Sequence, residues 1–261
     1  MSQAVATLWR REVLRFYRQR GRLVGALGTP LVFWILIGSG VGESFRPAAA
    51  PDDLHYLVYF YPGTILLMLL FTAIFSTISL IEDRREGFLL SVLVSPVSRA
   101  GVVLGKILGG ATLAFLQGLI FLLLAPLAGI SLGLEQILWM MAVMALIALS
   151  LTGLGFVIAW QSESIQGFHA VMNLMLVPMW ILSGALFPFS GASSWIQYLM
   201  RINPLSYEVS LLWHALHSEV PNLGIRLPSF TASLAVTLLF VLVVFGVSLW
   251  LVRRPGLRGL A

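Results

Sequence analysis

Cysteine is absent from the 261-residue chain, which excludes disulfides and thiolate metal sites and leaves the redox compartment unreadable from cysteine usage. Charge is scarce too: charged residues make up 10% of the chain and hydrophobic ones 59%. A soluble domain carries roughly 25% charged and 45–50% apolar residues, so lipid must be the solvent for most of this chain. The net charge of +5 does not point to nucleic acid, because the basic residues flank long apolar runs, as orientation signals do. No Gly-x-x-x-x-Gly-Lys-Ser/Thr loop is present, so nucleotide binding by that device is excluded. Ionisable residues are missing from the apolar runs, which argues against a proton relay or an ion-coupled carrier. Energy must then come from outside the membrane. No metal site is expected: His214 and His217 are three residues apart, but no third ligand is close in sequence. Gly129-Ile130-Ser131-Leu132-Gly133 matches a hydrolase pattern that has meaning only between a strand and a helix. Here it is an interhelical turn, and no catalytic residue is expected.

What the chain has in abundance is apolar sequence. A helix needs about 20 mostly apolar residues to cross the hydrocarbon core. Six stretches qualify: residues 23–41, 57–81, 107–130, 137–160, 170–189 and 231–252. With sides alternated, Arg10, Arg11, Arg15, Arg18, Arg20, Arg22, Arg84, Arg85, Arg99, Lys106, Arg253, Arg254 and Arg258 share one side. The other holds Arg46, Arg201 and Arg226. Thirteen against three makes the first side cytoplasmic, with both termini there. The N-terminus is charged for too long to be a cleavable signal, so residues 1–261 are read as a single transmembrane domain of all-α class.

Three segments do not span. In residues 1–22, Val5, Leu8, Trp9, Val13 and Phe16 recur at helical spacing among Arg10, Arg11, Arg15 and Arg18. That is an interfacial amphipathic helix, its apolar face in the acyl boundary and its arginines toward anionic headgroups. Residues 82–99 read EDRREGFLLSVLVSPVSR: a charge cluster, then a short helix with an apolar stripe, which Pro96 stops at Ser95. It is too short to span, so it lies at the surface or docks into a partner. Residues 190–229 carry Trp195, Tyr198, Tyr207, Leu211, Leu212 and Trp213, too apolar for an outer loop, and read as half-buried or re-entrant helices. Gly101, Gly105 and Gly109 stand four apart on one helix face, where small residues let helix backbones approach. Gly21 and Gly25 repeat that spacing.

Residues 82–99 resemble the signature of type-two ATP-binding-cassette (ABC) exporter permeases. The matching residues are Arg84-Arg85-Glu86-Gly87, the apolar stretch 88–94, and Ser95-Pro96-Val97-Ser98-Arg99. The six spans, the N-terminal helix, the outer segment and Asn203-Pro204-Leu205-Ser206-Tyr207 extend the similarity over nearly the whole chain. One departure is Leu90, where the family often has a glutamate.

The resemblance implies a bacterial inner-membrane permease without enzymatic activity or bound cofactor of its own. Two copies of a separate ABC ATPase would bind ATP and Mg beneath it. A second permease chain, identical or similar, would complete the membrane part. The implied coupling residues are Glu82, Arg84, Arg85, Glu86, Gly87, Leu89, Leu93, Pro96 and Arg99, with Leu89 and Leu93 filling a groove on the ATPase. The spans offer hydroxyls and amides rather than charges, which suits an amphipathic or lipid-like substrate: a drug, a lipid or a lipid-linked glycan. Thr72, Ser76 and Asn173 are candidates for its path, against the plainer reading that they hydrogen-bond between helices. The competing functional class is a membrane scaffold or assembly factor with no transport cycle, which requires no charged docking helix.

Overall fold

The computed structural model describes residues 3–41, 56–217 and 227–254. Arg46, Arg226, Arg258 and part of the predicted outer segment lie outside them. Among the described residues every regular element is helical.

The chain opens with α1 (Gln3–Arg18) and, after a break at Gln19, α2 (Arg20–Val41). Next come α3 (Tyr56–Arg85), the short α4 (Phe88–Val94) and α5 (Arg99–Leu122). After α6 (Leu134–Gln161), α7 (Ile165–Val171) and α8 (Val177–Trp180) belong to one broken helix. Two short helices, α9 (Ser194–Ile202) and α10 (Pro204–Leu216), precede the last, α11 (Phe230–Arg253). Among the described residues five helical segments are long and apolar enough to cross a membrane: α3, α5, α6, Ile165–Ala185 and α11. The remaining predicted span falls in α2, whose apolar run Val24–Gly40 is shorter.

α3 is the axis of the bundle. Its apolar window is 89% buried, against 22% for α11 and for Ile165–Ala185, so those two present most of their surface outward. α5 begins at Arg99, eight residues before the predicted span, because Ser98 caps it by accepting from the Gly101 amide at 3.1 Å. The charged Lys106 stays inside the helix because buried carboxylates neutralise it.

The broken helix shows how irregular backbone survives in an apolar setting. Wide turns at Met172–Leu176 and Ile181–Ala185 flank Pro178, and Gly184 adopts φ 86°. The loosened carbonyls need other donors. Tyr59 donates to the Gly184 carbonyl at 2.7 Å, and Asn203 Nδ2 to Met179 at 2.6 Å. Trp180 Nε1 returns a bond to the Gly63 carbonyl at 2.8 Å. Gly63 is required there, since a Cβ would lie 2.6 Å from that of Ala185.

α10 is not a surface element. Leu205, Glu208, Val209, Leu211, Leu212 and Trp213 are all buried, and α10 packs on α6, α11 and α3. Such a short buried helix is re-entrant in character. Gly129 takes φ 77° in the irregular turn before α6, so Ser131 sits in a turn rather than on a strand-to-helix elbow.

Candidate functional site

The apolar stripe of α1 turns toward protein rather than lipid. Val5, Leu8 and Phe16 are buried, and the glycine face of α5 receives the first two. A Cβ on Gly105 would lie 2.7 Å from Leu8 Cβ, and one on Gly109 2.6 Å from Glu12 Cβ. Gly101 approaches Val5 at an ordinary 3.6 Å. Among the described residues a Cβ on Gly21 would have no neighbour within 4 Å and one on Gly25 only Phe75, so of the two predicted glycine pairings only the α5 stripe makes a close approach.

That approach delivers Glu12 into the bundle. Its carboxylate accepts from Lys106 Nζ at 2.6 Å and from Ser79 Oγ at 2.5 Å. Lys106 also bonds Asp83, which is fully buried. Asp83 in turn receives a two-pronged contact from Arg11 at 2.7 and 2.8 Å, and Arg15 at 2.5 Å. Arg15 extends the network to Glu82 at 3.0 Å and Glu86 at 3.1 Å. The Asp83 hydrogen bonds raise the Arg11 guanidinium above its ordinary value, against the opposing effect of burial. The expected turn of the arginines toward headgroups is therefore corrected for Arg11 and Arg15. Three helices meet here, and burying these charges is tolerable only because each has a partner.

The network holds α4. Gly87 ends α3 in a left-handed conformation, φ 72°, which lets the chain turn sharply into Phe88. The guanidinium of Arg11 lies 3.7 Å over the Phe88 ring, a cation–π contact. Leu89, 2% exposed, faces the bundle, whereas Leu90 and Val94 are 44% and 78% exposed. The predicted stripe is thus corrected at Leu89: that side chain anchors α4 to its own chain, and the outward apolar pair is Leu90 and Val94. Leu93 is half-buried, and Arg85, Glu86, Gly87 and Pro96 are exposed. Arg84 and Arg99 serve helix ends. Arg84 donates to the carbonyls of Trp160 at 2.6 Å and Ser162 at 2.9 Å, closing α6. Arg99 donates to Val252 at 2.6 Å, closing α11. α4 ends at Val94, and its C-cap Ser95 is extended, one residue before Pro96.

The three polar residues considered for a substrate path do not converge. Thr72 is buried and bonds Gln117 of α5, and Ser76 is buried beside Gly110. Thr72 thus bonds between helices, while Ser76 donates to the Ala73 carbonyl of its own helix at 2.6 Å. Asn173 is exposed on the broken helix.

One group escaped the sequence reading. Glu208 of α10 is fully buried, and its Oε1 accepts from Ser150 Oγ at 2.5 Å. Its Oε2 has no hydrogen-bond partner among the described residues. Ser150 lies near the middle of α6, so a carboxyl stands deep in the bundle, correcting the expectation of an interior without ionisable groups. It was missed because the sequence puts the half-buried or re-entrant helix expected here at the outer face, not against the middle of α6. Glu12 carried a legible signal: it continues the Val5, Leu8, Phe16 stripe opposite the glycine stripe.

Together these features define an all-helical membrane protein with a short surface helix geared into its bundle. The ABC-2 type transporter family model matches residues 3–217, and the chain belongs to that family. It is 26% identical over 253 residues to Nodulation protein J of Neorhizobium galegae, covering 95% of this chain and 92% of that one. The Rhizobium leguminosarum bv. viciae protein of the same name is 25% identical over 254 residues, covering 96% and 94%. The putative transport permease ycf38 of Cyanophora paradoxa is 26% identical over 210 residues, covering 79% and 72%.

Proposed function

We propose that this chain is the membrane subunit of an ATP-driven exporter in a bacterial inner membrane, with both termini cytoplasmic. Two copies of a separate ABC ATPase supply ATP and Mg chemistry, and a second permease chain completes the pore. The observation that carries the reading is the two-sided character of α4. Its inner side is tied to α1 and α3 through Leu89, Phe88 and Arg11, and its outer side offers Leu90 and Val94 beside Arg85 and Glu86. A helix held on one side and bare on the other can pass a push from a soluble motor to the bundle. Leu90, where the family often has an acid, then makes an apolar contact with the ATPase. The substrate is amphipathic or lipid-like, moving between two permease chains along the apolar face that carries Asn173 and the exposed Leu174.

The test is co-purification with the ATPase encoded beside this chain. Leu90→Asp and Val94→Asp are expected to abolish ATPase capture and transport while the permease keeps its melting temperature. Capture of the ATPase by both variants at the level of the unaltered chain would refute α4 as the joint. No complex with any P-loop protein would favour the scaffold reading.

A further inference from the structure

α5 and α11 both pack on α6 and leave a groove of about 270 Å³ between them. Its walls include Leu104 and Leu108 from α5 and Leu242 and Phe245 from α11, and its floor is Leu149 and Gly153 of α6. The lining is almost wholly apolar. Leu108 and Leu242 are 36% and 68% exposed, so the groove opens on the outer wall of the bundle. A Cβ on Gly153 would lie 2.6 Å from Val244 Cγ2, so the floor is cut as deep as the backbone permits.

One end of this groove is basic. Arg253 and Arg254 end α11, Arg99 begins α5, and all three are exposed. Arg99 bonds the Val252 carbonyl, which brings the two helix ends together. Arg254 stacks 3.4 Å over Trp250, the aromatic type that favours the membrane–water interface. Glu163, just past the end of α6, acts electrostatically on Arg84 of α3. From Phe245 to Arg253 is eight residues, about 12 Å along a helix. The arginines therefore stand at headgroup level when the groove lies in the acyl region.

We infer that this groove is a binding site for an anionic phospholipid, its acyl chain between α5 and α11 and its phosphate on Arg99, Arg253 and Arg254. A second copy of this chain fits less well. A two-fold contact through this face would set the arginines of one copy against those of the other.

The test is native mass spectrometry of the full chain, delipidated in detergent and titrated with phosphatidylglycerol or phosphatidylcholine. Phosphatidylglycerol is expected to be retained about tenfold better, since each basic residue near a membrane surface favours anionic lipid. Leu108→Trp with Leu242→Trp fills the groove from its exposed side and should remove that retention. Arg253→Gln with Arg254→Gln should lower it to the phosphatidylcholine level. Equal retention of the two lipids by the unaltered chain overturns the site. Retention that survives the tryptophans, or tryptophans that instead dissociate a permease dimer, overturns it as well.

Discussion

Glu208 is held in a place where, among the described residues, an ionised carboxylate would have a hydroxyl for company and no cation. Burying an unpaired charge is prohibitive, and such a group neutralises instead, so Glu208 is carried as the acid. Glu208→Gln keeps the shape and the acceptor for Ser150, and its melting temperature in detergent should stay within a few degrees of the unaltered protein. Glu208→Ala leaves the Ser150 hydroxyl only the Ile147 carbonyl of its own helix and opens a cavity at a fully buried position, which should cost about 2–5 kcal/mol, read in the same melting experiment. A glutamine variant as unstable as the alanine one would show that the carboxyl does more than accept one bond. Nothing in the local sequence announces this residue. It looks like the polar side of an outer-face helix until α10 is packed inside the bundle.

At the scale of elements, α1 is fastened to α5 by shape and to α3 by charge. Gly109→Leu would drive a side chain into Glu12, where even a Cβ is too close. The expected result is displacement of α1, seen as rapid proteolysis near residue 19 where the unaltered protein resists. The charge network behaves differently. Removing one partner of a buried pair typically costs about 3–5 kcal/mol, whereas replacing both by apolar groups is often neutral. Lys106→Met should therefore destabilise strongly, because Glu12 and Asp83 lose their shared cation. Adding Glu12→Leu, which leaves Asp83 paired with Arg11 and Arg15, should recover much of the loss in a thermal-unfolding series. Failure of the double variant to exceed the single would mean the network sets position rather than merely neutralising charge.

At the scale of the whole molecule, the arrangement makes α4 continuous with the bundle. Leu89 and Phe88 face inward, and the network joins α1, α3 and α5 behind them. Leu89→Asp is expected to reduce the folded yield in detergent, while Leu90→Asp is not. Equal folded yields for the two would remove the distinction between anchoring and outward faces. α11 and Ile165–Ala185 turn most of their apolar surface outward, away from the bundle.

Much of this was legible in the residues. All-helical class follows from run length, because a membrane admits only helices and closed barrels. The short helix before Pro96 and the glycine stripe at Gly101, Gly105 and Gly109 follow from local spacing and sterics. Tertiary structure alone decided which way each face turns. Spacing identifies Leu89, Leu90 and Leu93 as helical neighbours, but it does not say which of them looks inward. The same holds for charge. Arg11, Arg15 and Lys106 read as orientation signals along the chain, and they became an ionic core because α1, α3 and α5 converge at one end. Glu12, Asp83 and Glu208 acquired their meaning there too, since a carboxylate's role is set by what surrounds it in space.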